Sequence, residues 1–190
     1  MKTVPFIPPQ IPENAPFRPD QRLWLNGYLA GLCAAVGVPA DGGASALPAP
    51  AVPLAILYGS QTGTAEGLAK KIAKEAKGRG WAPEVRAADD FAQVDWAAQT
   101  RLLLAVSTYG DGEMPDNAKA FWDWLQGDEA AAKLKHLEYA VLALGDTNYP
   151  EFCAAGKRID ARLEALGAKR LHPRADCDAD YEGAAKEWMA

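Results

Sequence analysis

Three short stretches of this chain are apolar almost without a break: Leu54–Tyr58 (LAILY), Arg101–Ser107 (RLLLAVS) and Tyr139–Leu144 (YAVLAL). Each has the length of a strand. A strand apolar on both sides needs cover on both sides, which is the situation of parallel sheets flanked by helices. The segments between them read as helices. In Thr64–Gly78, Leu68, Ile72 and Ala76 recur on one face, with Lys70, Lys71, Lys74 and Lys77 elsewhere. Pro115–Leu125 predicts a helix entered through proline. Phe152–Leu166 predicts one closed by Gly167, and Asp178–Met189 a last one. Pro83–Ala87 and Lys169–His172 read as shorter strands. Five strands alternating with helices imply a parallel α/β sheet.

The first strand runs into the most informative loop, LAILYGSQTGTAEG from Leu54 to Gly67. A strand that turns tightly into a helix aims backbone N–H groups and the positive end of the helix dipole at one point, which suits an anion. Ser60, Thr62 and Thr64 add hydroxyls, and Gly59 and Gly63 permit close approach. A phosphate fits such a loop. It lacks the lysine of GxxxxGK[ST], so a P-loop phosphotransferase is disfavoured, and it lacks the GxGxxG of a dinucleotide dehydrogenase.

In an open parallel sheet, ligands bind beyond the carboxyl ends of the strands. The loops after the three apolar strands are therefore the ones that matter: Gly59–Ala65, Ser107–Asn117 (STYGDGEMPDN) and Gly145–Cys153 (GDTNYPEFC). The second and third each carry one tyrosine, Tyr109 and Tyr149. Two aromatic rings at one sheet edge can bracket a planar heterocycle, each contact contributing roughly 1 kcal/mol beyond burial. A site with a phosphate end and a flat aromatic end has the shape of a phosphorylated flavin.

With SQTGTAE, STYGDGEMPDNA and LGDTNYPEFC in this order and spacing, the chain resembles the FMN-binding flavodoxin-like domain of diflavin reductases over roughly Leu54 to Trp188. The LGDTNYPEFC form, and RPDQRLWLNGYLAGL behind a proline-rich arm, are most similar to the flavoprotein (alpha) subunit of bacterial NADPH-dependent sulfite reductase. The resemblance implies a three-layer flavodoxin-like fold with a five-stranded parallel sheet in the order 2-1-3-4-5. It implies that Ser60, Gln61, Thr62, Gly63, Thr64 and Ala65 hold the FMN phosphate. Tyr109 would stack on one face of the ring, lined by Ser107, Thr108 and Gly110. Tyr149 would cover the other face. Leu144, Gly145 and Asp146 would meet the ring edge through backbone groups, Thr147 and Asn148 would belong to the same loop, and Glu151, Phe152 and Cys153 would complete the wall. Relatives place an acidic residue near the cofactor late in the domain, at Asp176 or Asp178 here.

The same resemblance implies a single-electron carrier. Electrons would come from an FAD/NADPH reductase module in the same polypeptide or a separate one, and go to a metalloprotein. The acceptor implied is the sirohaem iron–sulfur hemoprotein that reduces sulfite to sulfide in sulfur assimilation. A stand-alone flavodoxin-type carrier and an FMN-dependent quinone reductase are the alternatives. This chain holds no GxGxxG for a nicotinamide module, so FAD and NADPH are expected elsewhere and the chain reads as a domain of a longer protein. Carboxylates near the ring (Asp111, Glu113, Asp146, Glu151) should oppose added negative charge there. Asp111, Glu113 and Asp116 form either a solvated loop or a docking surface for a basic partner.

Outside this domain the signals are weaker. Residues 1–38 form an arm with six of the chain's 14 prolines in its first 20 residues, then a helix from Gln21 to about Val36 with Leu23, Trp24, Tyr28, Leu29 and Leu32 along one stripe. That helix would pack on the main domain or on a partner; in the family this segment is linked to subunit assembly and docking. Residues 39–53 are an Ala/Pro/Gly linker, so the flavodoxin-like domain is expected over 54–190. The net charge of −5 disfavours a nucleic-acid partner. No apolar run reaches the ~20 residues of a membrane span, and no signal-peptide core opens the chain. Three widely spaced cysteines give neither a disulfide framework nor a zinc site. A cytoplasmic protein with reduced thiols is the expectation.

Overall fold

The computed structural model describes residues 10–12, 15–35 and 51–190. The described residues fall into two units, one within Met1–Pro50 and one spanning Ala51–Ala190. In the first, helix α1 runs Pro19–Ala35. Asn26 Oδ1 accepts the Ile11 N–H at 2.7 Å, tying the preceding arm to the helix. Trp24 and Tyr28, one turn apart, stack with ring centroids 5.6 Å apart. Leu23, Trp24, Tyr28 and Leu32 are exposed. Most of the expected 39–53 linker lies outside the described residues; Val52 and Pro53 belong to the first strand.

The second unit is the sheet. Its strands are β1 (Val52–Gly59), β2 (Trp81–Ala87), β3 (Arg101–Ser107), β4 (Glu138–Leu144), β5 (Lys169–Arg170) and β6 (Ala175–Cys177). All pairings are parallel, in the order β2-β1-β3-β4-β5, with β6 also on β4. This is the flavodoxin-like order 2-1-3-4-5, with the fifth position divided between two short strands. The expected last strand, Lys169–His172, stops at Arg170. The chain leaves the sheet at Leu171–Arg174 and returns at Ala175. The break is held by charge: Arg170 and Arg174 both bond the buried carboxylate of Asp160 (2.9 and 2.7 Å), and Arg174 also pairs with Asp176 at 2.6 Å.

Two apolar clusters, one per sheet face, explain the unbroken apolar runs. Leu54 and Ile56 of β1 join Leu142 and Leu144 of β4 in one cluster, under α2 (Thr64–Gly78) and α6 (Glu182–Met189). The alternate residues Ala55, Leu57, Leu102, Leu104 and Val141 join the other, under α3 (Lys119–Leu125), α4 (Asp128–Leu134) and α5 (Ala154–Ala165). Successive side chains of a strand point to opposite faces, so a strand covered twice has no polar position to spare. Each large side chain fully buried here contributes roughly 1.5–3 kcal/mol. β2 lies at the sheet edge and is only partly buried, where Pro83 is tolerated because one side of the strand has no partner.

Several boundaries move relative to the sequence reading. The Pro115–Leu125 helix is a short 3-10 turn (Asp116–Ala118) followed by α3, because Asn117 at φ −83°, ψ 20° is not helical. Phe152 and Cys153 precede α5 rather than begin it, and Cys153 takes the left-handed conformation, φ 57°. The last helix begins at Glu182, not Asp178. Helix α4 had no counterpart in the reading. Among the described residues no helix is long and apolar enough to cross a membrane.

Candidate functional site

Four connections meet beyond the carboxyl ends of β1, β3, β4 and β6 and enclose a cleft of about 460 Å³, within the usual range for a small-molecule site. Strand order reverses there, between β1 and its two neighbours β2 and β3.

The loop after β1 closes on its own serine. Ser60 Oγ accepts the N–H groups of Gly63 (2.9 Å) and Ala65 (3.3 Å). Thr62 Oγ1 and Thr64 Oγ1 lie 3.4 Å apart and both line the cleft. The Ser60 N–H donates to Asn117 Oδ1 and that of Gly67 to Gly63 O. The N–H groups of Gln61, Thr62, Thr64 and Glu66 find no acceptor among the described residues. An unpartnered row of amides at the start of a 15-residue helix is an anion cradle.

After β3 the chain makes a closed hairpin. Tyr109 and Glu113 exchange backbone hydrogen bonds of 3.0 and 2.7 Å, and the three residues between turn through Gly110 (φ 52°) and Gly112 (φ 99°), angles that a side chain disfavours. Tyr109 is left 46% exposed. The loop after β4 is organised by Asp146, whose Oδ1 accepts both the N–H and the Nδ2–H of Asn148 at 2.8 Å, while its carbonyl accepts the Tyr149 N–H at 3.1 Å. Tyr149 is 55% exposed on this turn. Gly145 is required by close approach: a Cβ there would stand 2.6 Å from the Cys153 nitrogen. The two tyrosine loops touch, since a Cβ on Gly112 would lie 2.8 Å from that of Glu151.

The fourth wall follows β6. Leu144 pairs with Cys177, and the Gly145 N–H donates to the Cys177 carbonyl, so the next residue faces the third loop. Asp178 takes the Thr147 N–H at 3.0 Å, the Thr147 hydroxyl at 2.5 Å and the Ala179 N–H at 2.7 Å. These bonds, the Thr147 hydroxyl's first, hold its carboxyl below the usual range. Of the two acids left open by the sequence, Asp178 lines the cleft and Asp176 faces Arg174.

Of the 19 residues named from sequence, 11 line the cleft: Thr62, Thr64, Ser107, Thr108, Tyr109, Gly110, Leu144, Gly145, Asp146, Tyr149 and Glu151. The other eight lie behind it or beside it. Ser60 braces the loop from within, Gly63 and buried Ala65 continue it, and Gln61 turns aside to Asp116. Thr147 and Asn148 make the bonds that shape the third loop. Phe152 packs under the Lys157 ammonium, 5.2 Å from the ring centroid. Cys153 is fully buried, and burial pushes its thiol up to about 12. Asp178, Ala179 and Tyr181 complete the lining; for Ala179 and Tyr181 the one sequence signal was the acidic position next to them. No lysine or arginine lines the cleft, whereas Asp146, Glu151 and Asp178 do.

A smaller cavity of about 230 Å³ lies at the opposite end of the strands, against Leu54, Trp81, Arg101 and Trp188. Its arginines are committed, Arg79 to the Ala190 carbonyl and Arg101 to Glu138, so it lacks the convergent free polar groups of the larger cleft.

The unpartnered amides, the two threonine hydroxyls and the two exposed tyrosines are groups that fit a phosphorylated planar ligand such as a flavin. Known proteins agree with this architecture. A flavodoxin mutant from Pseudomonas aeruginosa superposes with a TM-score of 0.65 at 27% identity, covering 72% of this chain and 93% of that one. The sulfite reductase [NADPH] flavoprotein alpha-component of Bacillus subtilis (strain 168) is 46% identical over 176 residues, 90% of this chain and 29% of its own length. That of Shewanella sp. (strain ANA-3) is 42% identical over 191 residues, 98% of this chain and 31% of its own. The chain thus spans under a third of these relatives. The flavodoxin family profile matches residues 56–188, and the chain belongs to the flavodoxin family.

Proposed function

We propose that the cleft binds FMN without a covalent bond and that the domain relays single electrons. They would pass from an FAD/NADPH module to a metalloprotein acceptor, the hemoprotein component of a sulfite reductase. The observation that carries this reading is the convergence, in one cleft, of free phosphate-loop amides and two solvent-exposed tyrosines on separate loops. The likeness to sulfite reductase flavoproteins supports the acceptor.

When bound, FMN supplies the one- and two-electron chemistry; the chain supplies position and field. The amides of Gln61, Thr62, Thr64 and Glu66 and the hydroxyls of Thr62 and Thr64 hold the phosphate by dipoles alone. Tyr109 and Tyr149 hold the ring and exclude water from its faces. Asp146, Glu151 and Asp178 set a negative field that opposes electron density on the ring, which makes a bound flavin a stronger donor.

The test is direct. The purified chain is expected to show two flavin absorption bands and to release one equivalent of FMN on heating. Stepwise dithionite titration then resolves separate one-electron stages. A colourless protein that takes up no added FMN overturns the reading.

A further inference from the structure

We infer that Asn117 is a positioning residue that couples the two ends of the cleft, so that the phosphate loop and Tyr109 are set together. The inference rests on the flavin reading above. Asn117 does not line the cleft; its side chain accepts the Ser60 N–H at 2.8 Å. Beside it, Gln61 and Asp116 bond reciprocally. The Gln61 side-chain amide donates to Asp116 Oδ2 at 3.1 Å, and the Asp116 N–H donates to Gln61 Oε1 at 3.2 Å. Lys119 holds the other Asp116 oxygen at 2.6 Å. Underneath, Pro115 and Ala118 press on Gly59, where an added Cβ would meet them at 3.0 and 2.9 Å. Residues 115–118 therefore grip the phosphate loop at Gly59, Ser60 and Gln61 in turn.

The same strap ends at Tyr109. One residue, the buried Met114, separates Pro115 from Glu113, and Glu113 closes the Tyr109 hairpin through two backbone bonds. The strap has no slack. Met114 and Ala118 are both buried, and Asn117 sits off helical angles, inside the 3-10 turn that precedes α3, with its side chain turned to Ser60. A displacement of the phosphate loop must move the strap, and the strap carries the hairpin on which Tyr109 stands.

Riboflavin separates this from a local role, because it has the ring and no phosphate and so reads the tyrosine end alone. The apo form of the full 190-residue chain is titrated with FMN and with riboflavin, following loss of flavin fluorescence. Asn117→Ala is expected to weaken both ligands by similar factors, about tenfold, the cost of a lost hydrogen bond that leaves an amide unpaired. Asn117→Asp keeps the acceptor for Ser60 and is expected to restore riboflavin binding. Weaker FMN binding with unchanged riboflavin binding would confine Asn117 to the phosphate loop and overturn the coupling, as would no change in either. Circular dichroism checks the fold. If Asn117→Ala does not fold, Gln61→Ala, exposed at the surface, takes its place with the same expected pattern. A wild-type chain that takes up neither flavin overturns the flavin reading itself, a result distinct from either.

Discussion

Cys153 is the most constrained single residue of the cleft's surroundings. It is fully buried, its backbone is left-handed (φ 57°) and its amide leaves no room for a Cβ on Gly145. A left-handed non-glycine residue costs roughly 1–2 kcal/mol. Burial raises the thiol to about 12, and the charge of Asp176 adds to it. The thiolate is the reactive form, so Cys153 should resist iodoacetamide at pH 8 in the native protein and react once unfolded, as mass spectrometry of the labelled peptides will show. The sign of the pH effect follows. The unfolded thiol loses its proton near pH 8.5, before the folded one does, so stability is full below that pH. It falls by up to about 1.4 kcal/mol per pH unit as pH rises toward 12. Cys177, raised by burial as well, acts in the same direction. An urea midpoint unchanged between pH 8 and 10 would contradict this. At this scale the sequence was informative where a residue's own chemistry marks it: hydroxyls, glycines and exposed tyrosines stood out. Asn117 did not, because its role comes from a bond to Ser60, 57 residues away in sequence.

Among the elements, α5 approaches β4 closely at Gly156. A Cβ on Gly156 would lie 2.3 Å from that of Ala143 and 3.1 Å from its Cα. Alanine ordinarily gains about 1 kcal/mol over glycine inside a helix. Here the clash wins, since the opposing atoms belong to the sheet. Gly156→Ala should therefore destabilise by about 1–3 kcal/mol, read as a lower urea midpoint; a higher midpoint would mean that α5 can lift off the sheet at little cost. The central strands were legible because double cover forces unbroken apolar runs, and the start of β3 and the ends of β3 and β4 agree with the sequence to the residue. β5 and β6 were not legible as a pair. Two and three residues are too short for a periodic signal, and what separates them is a tertiary ion network on Asp160. The 3-10 turn before α3 was hidden for a related reason: Asn117 bonds Ser60, a partner remote in sequence.

For the molecule as a whole, the cleft is built from four separate connections that the sheet brings together, so a ligand that fits it ties the domain's parts to one another. A ligand held only by the folded state adds stability by mass action. FMN at a hundredfold excess over its dissociation constant should contribute about 2.7 kcal/mol, and raise the melting temperature by roughly 5–10 °C. Thermal unfolding followed by circular dichroism, with and without FMN, checks this; identical curves would show that the cleft does not hold it. The lining also has a direction in time. It begins at Thr62 and ends at Tyr181, nearly the full length of the sheet-forming unit. A chain emerging from the ribosome has its phosphate loop early, but the Asp178 clasp on Thr147 comes well over a hundred residues later. Domains fold as units during synthesis, so a ligand that needs all four walls of this cleft would be held only after almost all of the domain has been made.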